Sequence, residues 1–308
     1  MSSSNVYKQA LTAKYDIITQ YGVEYGNSLP VTSAVLKVPG YAVSVDDGTD
    51  LDTVVDYIFG FYDPHSSEKN GMSNVFTINY SPIDGDLLQR ALNLPGGAGT
   101  IEETLFFIER TKINNVAQYR KRLGCMTKQN TGQINRNGFK VNHVVEARSI
   151  SDWSASHGLP GTPDFVTLGE VPTTAPLTHL TPGVDPCSIT TIGVVDIGDF
   201  RWDCVWELAK LDPNGEPSYK DIDPASRRIN LTLTSWIKDN TLKALAEAHT
   251  EVDVSYKLGA GGSPYTLTFK RCKFSSYRPT GQAGQARGMM HTLTGIVLGG
   301  VTFTGSLP

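Results

Sequence analysis

Thr53-Val54-Val55-Asp56-Tyr57-Ile58-Phe59-Gly60-Phe61-Tyr62-Asp63-Pro64 and Trp202-Asp203-Cys204-Val205-Trp206-Glu207-Leu208-Ala209-Lys210-Leu211-Asp212-Pro213 decide the reading of the fold, because the two stretches share one pattern. In one, Thr53, Val55, Tyr57 and Phe59 form an alternating face; in the other, Trp202, Cys204, Trp206 and Leu208 do so. A period of two with large apolar residues on one side predicts a half-buried strand. Each run closes on Asp-Pro, a turn signal, and the two turns stand 149 residues apart (212 − 63).

The echo continues outward. Phe76-Thr77-Ile78 answers Ile229-Asn230-Leu231, and the segments Ser81-Pro82-Ile83 and Ser235-Trp236-Ile237 each read as the start of a helix. Those helices carry Leu87, Leu88, Ala91 and Leu92 in one case, and Leu242, Leu245, Ala246 and His249 in the other. Cys125 precedes Thr131-Gly132-Gln133, and Cys272 precedes Thr280-Gly281-Gln282. Self-similarity of this kind is the mark of an internal duplication.

Further strands follow from alternation: Leu231 and Leu233 against Thr232 and Thr234, Val252, Val254 and Tyr256 against their polar neighbours, and Tyr265, Leu267 and Phe269. The Gly-rich run 258–264 predicts a hairpin loop. A last strand from Met290 to Phe303 is interrupted at Gly295 and at Gly299-Gly300. The expected fold is mainly β: two tandem sandwiches or half-barrels, each with one packed helix. Residues 1–26 read as an N-terminal arm with a short helix from Val6 to Ile18. Residues 27–153 form the first unit, 154–186 a Pro/Thr/Gly-rich extended connector, and 187–308 the second unit.

Composition narrows the function. The 308 residues are 39% hydrophobic and 19% charged, an ordinary globular balance. The net charge of −4 disfavours a generally basic nucleic-acid binder. No apolar run reaches membrane-span length, and Met1-Ser2-Ser3-Ser4-Asn5 lacks the charged and apolar regions expected of a signal peptide. Four separated cysteines, Cys125, Cys187, Cys204 and Cys272, are expected to be reduced thiols in a chain made in a cytoplasm.

Catalytic and metal motifs are weak. Gly96-Gly97-Ala98-Gly99-Thr100 follows a helix, lacks the Gly-Lys-Ser/Thr of a phosphate loop, and reads as a turn. Asp46, Asp47, Asp50 and Asp52 lack regular Ca²⁺-ligand spacing and read as a solvated loop. His65, His143, His157, His179, His249 and His291 show no zinc spacing, although His143 and His291 fall on corresponding strands. No nucleophile motif stands out. Arg110, Lys112, Arg120, Lys121 and Arg122, with Lys270, Arg271 and Lys273, form basic strand faces suited to a subunit interface. The chain is therefore expected to have no catalytic residue, no cofactor and no metal.

An aromatic strand, a long polar hairpin loop, a further strand, a helix and several more strands form an order that resembles the tail-tube proteins of long-tailed phages. It is also similar to the inner tubes of contractile injection and type VI secretion machines. The resemblance implies a virion protein, made in the host cytoplasm, that polymerises into stacked rings and forms the tail tube through which viral DNA passes. With two fused tube domains, it implies three chains per pseudo-hexameric ring, with other tail proteins at the tube ends. It also places ring-to-ring stacking on the hairpin loops: Asp63, Pro64, His65, Glu68, Lys69 and Asn70 in one, and Asp212, Pro213, Asn214, Glu216, Lys220 and Asp221 in the other. A tail-completion or baseplate-ring protein of the same fold is the alternative within the virion. Outside it stands a tandem glycan- or receptor-binding module using Tyr25, Trp153 and Tyr277.

Overall fold

The computed structural model describes residues 18–25, 36–56, 66–82, 85–93, 103–113, 116–135, 137–163, 165, 186–211, 221–236, 240–258, 265–280 and 290–304. The first half of the chain contributes β1 (Ile18–Tyr25), β2 (Gly40–Asp56), β3 (Ser66–Pro82), α1 (Asp86–Leu92), β4 (Glu103–Ile113), β5 (Val116–Asn135) and β6 (Gly138–Ile150). The other half contributes β7 (Cys187–Ile189), β8 (Gly193–Val195), β9 (Ile197–Leu211), β10 (Asp221–Trp236), α2 (Thr241–Ala248), β11 (Val252–Leu258), β12 (Tyr265–Thr280), β13 (Met290–Val297) and β14 (Val301–Thr304). The protein is mainly β, as its alternating pattern predicts.

Among the described residues every pairing is antiparallel, and the fourteen strands belong to one sheet whose main path runs β2-β3-β6-β5-β9-β10-β13-β12-β11-β7-β8. The pairs β2–β3, β3–β6, β6–β5, β5–β4 and β4–β1 are matched in the C-terminal half by β9–β10, β10–β13, β13–β12, β12–β11 and β11–β7. Bulges fall at matching places. β2 skips Val43 and β9 skips Gly198; β3 skips Asn70 and β10 skips Ala225; β5 skips Lys128 and β12 skips Ser275. Where β5 crosses from β4 to β6, Gly124 has φ 60°; at the matching place in β12, Arg271 has φ 53°. A bulge re-aims a strand and fixes its register, so this recurrence aligns the halves residue by residue.

That alignment corrects several sequence readings. The hairpin arms end at Asp56/Ser66 and Leu211/Asp221, 155 residues apart (211 − 56), not 149. Cys125 and Cys272 do correspond, opposite Leu105 and Val252. Gly132, however, corresponds to Pro279 and not to Gly281, since the two face Val141 and His291 at matching register. Ser81-Pro82 and Ser235-Trp236 finish β3 and β10 and do not open helices; α1 begins at Asp86 and α2 at Thr241. Buried Tyr80 and Ser235 hold these residues in the ladder, so pairing prevails over local helix signals. Ile18 opens a strand, while the rest of the expected Val6–Ile18 helix lies outside the described residues, as does the Gly96–Thr100 turn. Asp46, Asp47, Asp50 and Asp52 belong to β2, paired with β3, and not to a loop.

The halves also do not stand as two separate sheets. β5 pairs with β9 from Gln129↔Val205 to Asn135↔Asp199, which makes the sheet continuous. The edge amides of β5 thereby find partners within the chain. One hydrophobic core runs beneath the junction from Phe76 and Ile78 through Ile134, Phe139 and Val141 to Phe200, Trp202, Leu231 and Leu293. Leu87, Leu88 and Leu92 of α1, and Leu242 and Leu245 of α2, bury their apolar sides in it. The start of the expected connector is docked on β5: Ser154 bridges Tyr119, and Phe165 packs against Tyr119 and His157.

Candidate functional site

Strand alternation gives the central sheet two unlike faces. On β9, Phe200, Trp202 and Cys204 point into the core, while Asp199, Arg201 and Asp203 lie on the other side; β10 alternates Leu231 and Leu233 with Asn230 and Thr232. Trp202 carries its one polar atom inward safely, because its Nε1–H donates to Asn130 Oδ1 at 2.9 Å. The polar sides of β3, β6, β5, β9 and β10 line an open groove of about 650 Å³.

Side chains on this face are tied across strands. Asn142 Nδ2 donates to Asn79 Oδ1 at 2.6 Å, joining β6 to β3. Gln129 Nε2 donates to Asp203 Oδ1 at 2.7 Å and Gln133 Nε2 to Asp199 Oδ1 at 2.9 Å, stitching the β5–β9 junction. Arg201 Nε lies 2.5 Å from Asp199 Oδ2. Amides, hydroxyls and charges of both signs thus form a hydrophilic wall whose groups mostly engage one another. Gly132 in its floor permits the close approach of Trp202, since a Cβ there would lie 1.9 Å from the indole ring.

The buried ions sit elsewhere and hold strands together. Glu109 is 1% exposed, with Arg120 Nη2 at 2.5 Å and fully buried Arg122 Nη2 at 3.3 Å; Arg122 also lies 4.3 Å above the Phe76 ring. Fully buried Glu146 pairs with Lys210, from the β9–β10 arm, and with Lys128 at 3.6 Å. Lys270 reaches Asp253 at 2.8 Å, and Arg271 and Lys273 both reach Glu251. Hydrogen bonds from these cations hold the Glu251 and Asp253 carboxyls below the usual range. The basic faces read as a subunit interface are thus largely engaged in ion pairs within the chain. His143 is wholly buried with Thr127 Oγ1 2.9 Å from Nε2, and desolvation lowers its pKa to about 3. His291 packs against Tyr277 with ring centroids 5.2 Å apart, on the strand that corresponds to that of His143 but two residues out of register with it.

Of the expected stacking residues, Glu68, Lys69 and Asn70 lie on β3 in the arm that, among the described residues, pairs with β2 alone, Asn70 being a bulge residue. Asp221 opens β10 opposite Leu211. Asp63, Pro64, His65, Asp212, Pro213, Asn214, Glu216 and Lys220 lie outside the described residues. Two of the aromatics suited to sugar stacking are already covered: Arg120 lies 4.9 Å over Trp153, and Tyr277 packs on His291; Tyr25 ends β1. Sequence reading missed the junction set Gln129, Gln133, Asp199 and Asp203. Its signal was present, since each pair is spaced by four on a period-two strand and so shares a face.

Among the described residues no three His, Cys, Asp or Glu side chains gather as a metal site, and no helix is long and apolar enough to cross a membrane. No protein-family model matches the chain, and no curated protein matches it.

Proposed function

We propose that the chain is a structural virion subunit that polymerises into stacked rings and forms a tail tube, the conduit for viral DNA. In this reading it carries two fused tube domains, so three chains complete a pseudo-hexameric ring, and other tail proteins meet the tube at its ends. The single observation that carries the reading is the recurrence of one strand-pairing scheme, bulge for bulge, across two halves joined edge to edge at β5 and β9. A unit that continues its own sheet into another unit is suited to continue it into further chains. The hydrophilic face would then line the lumen, where amides and charges already paired with each other give phosphate little to hold. The β2–β3 and β9–β10 arms would carry the stacking loops toward the next ring.

Electron microscopy of the purified, concentrated protein tests this. Stacked rings or hollow filaments with three chains per ring are expected. Six chains per ring would keep the tube and overturn the fused pair, and isolated single rings would favour a tail-completion or baseplate role. A dispersed monomer that binds a glycan array would overturn the tube.

A further inference from the structure

The internal junction specifies seven residue pairs, from Gln129↔Val205 to Asn135↔Asp199. In the recurring scheme, the counterpart of the β5 segment is β12 from Ser276 onward: Gln129 and Ser276 each follow the skipped residue and face Val144 and Thr294. The counterpart of the β9 segment is β2, where Val205 and Asp50 face Arg228 and Ser73. Among the described residues, this part of β12 pairs with β13 alone and β2 pairs with β3 alone. Each therefore presents one backbone edge to which no described strand is bonded.

We propose that β2 of one chain pairs antiparallel with β12 of a second copy of the same chain, in the register Ser276↔Asp50, Arg278↔Gly48 and Thr280↔Asp46. This rests on the self-assembly reading above and names its contact. Besides continuity with the internal junction, charge supports it. Within the chain, side chains across the junction meet on a diagonal: Gln129 faces Val205 yet bonds Asp203, and Gln133 faces Arg201 yet bonds Asp199. The same diagonal carried to the outer edges sets Arg278 against Asp46, both exposed in the single chain. Pro279 lacks an N–H and adds at most a carbonyl to this ladder, so neighbouring positions and the ion pair carry the register.

The test uses the full chain. Arg278→Glu and Asp46→Arg each place like charges on the diagonal, and each is expected to raise the concentration needed for assembly by about tenfold or more. The double variant Arg278→Glu/Asp46→Arg is expected to restore assembly. Independently, Ser276→Cys/Asp50→Cys should give a ladder of disulfide-linked multimers under mild oxidation, the native cysteines being buried. Assembly that proceeds without this ladder and is indifferent to both single charge reversals would overturn the edge contact while leaving the tube reading intact. So would a double variant that stays folded by circular dichroism and fails to recover. An unmodified chain that remains monomeric at high concentration would overturn both.

Discussion

Glu109→Ala should be among the most destabilising single changes in the first half of the chain. The carboxylate is 1% exposed and lies 3.3 Å from the guanidinium of Arg122, which has no exposure and is sandwiched against Phe76. Removing the carboxylate takes a buried counter-charge away from Arg122 and Arg120, and breaking a buried pair costs about 3–5 kcal/mol. With a urea m-value of about 2–3 kcal/mol/M, the unfolding midpoint should fall by roughly 1–2 M. The C-terminal half offers its own control: Glu109 and Arg122 correspond to Tyr256 and Phe269 (256 − 109 and 269 − 122 both give 147), which occupy those places as buried aromatics. The double variant Glu109→Tyr/Arg122→Phe should therefore cost less than Glu109→Ala alone, about 2 kcal/mol or under, because it removes both charges and fills their space. Arg120 would lose its ion pair but keeps some contact with solvent and the Trp153 ring. Urea titration followed by tryptophan fluorescence measures all three. A Glu109→Ala cost below about 1 kcal/mol, or a double variant costing the sum of Glu109→Tyr and Arg122→Phe, would refute the reasoning.

Three further outcomes are expected. The pKa of buried His143, about 3, lies below its unfolded value of 6.5, so the unfolded chain gains a proton first and stability falls as pH drops below 6.5. By pH 5 the loss should reach about 2 kcal/mol relative to neutral pH, and His143→Leu, matching Leu293 at the equivalent place, should remove that slope from urea midpoints taken at both pH values. Trp206→Phe should cost about 1–2 kcal/mol by deleting the buried Nε1–H bond to Ala91 O at 2.9 Å; an unchanged thermal midpoint would show that this tie between β9 and α1 contributes nothing. All four cysteines are buried, and burial pushes the Cys187, Cys204 and Cys272 thiols up to about 12, so a thiol reagent at pH 8 should label them only as the chain unfolds; rapid labelling of the native protein would contradict that burial.

Alternation by itself determined much of this protein. Leu231 and Leu233, or Val252, Val254 and Tyr256, can bury one side only as strands, and the structure places them so. Similar apolar patterns in the two halves announced a recurring scheme, though at spacings the strand pairing corrects, because a hydrophobic pattern is local. Register was not legible. Thr-Gly-Gln matched two residues away from the true correspondence, since a shift of two keeps every side chain on its face and leaves no mark on the pattern. The bulges at Lys128 and Ser275 fix that shift, and a bulge exists only relative to a neighbouring strand. Nor could the sequence tell that Arg122 is buried while its neighbour Lys121 remains partly exposed, because both look like basic strand residues until β4 supplies Glu109. Tertiary structure alone decided that the two halves share one sheet. The β5–β9 bonds run between backbone groups common to every residue, and the residues that stitch them, Gln129 to Asp203 and Gln133 to Asp199, are separated by more than sixty positions in the chain.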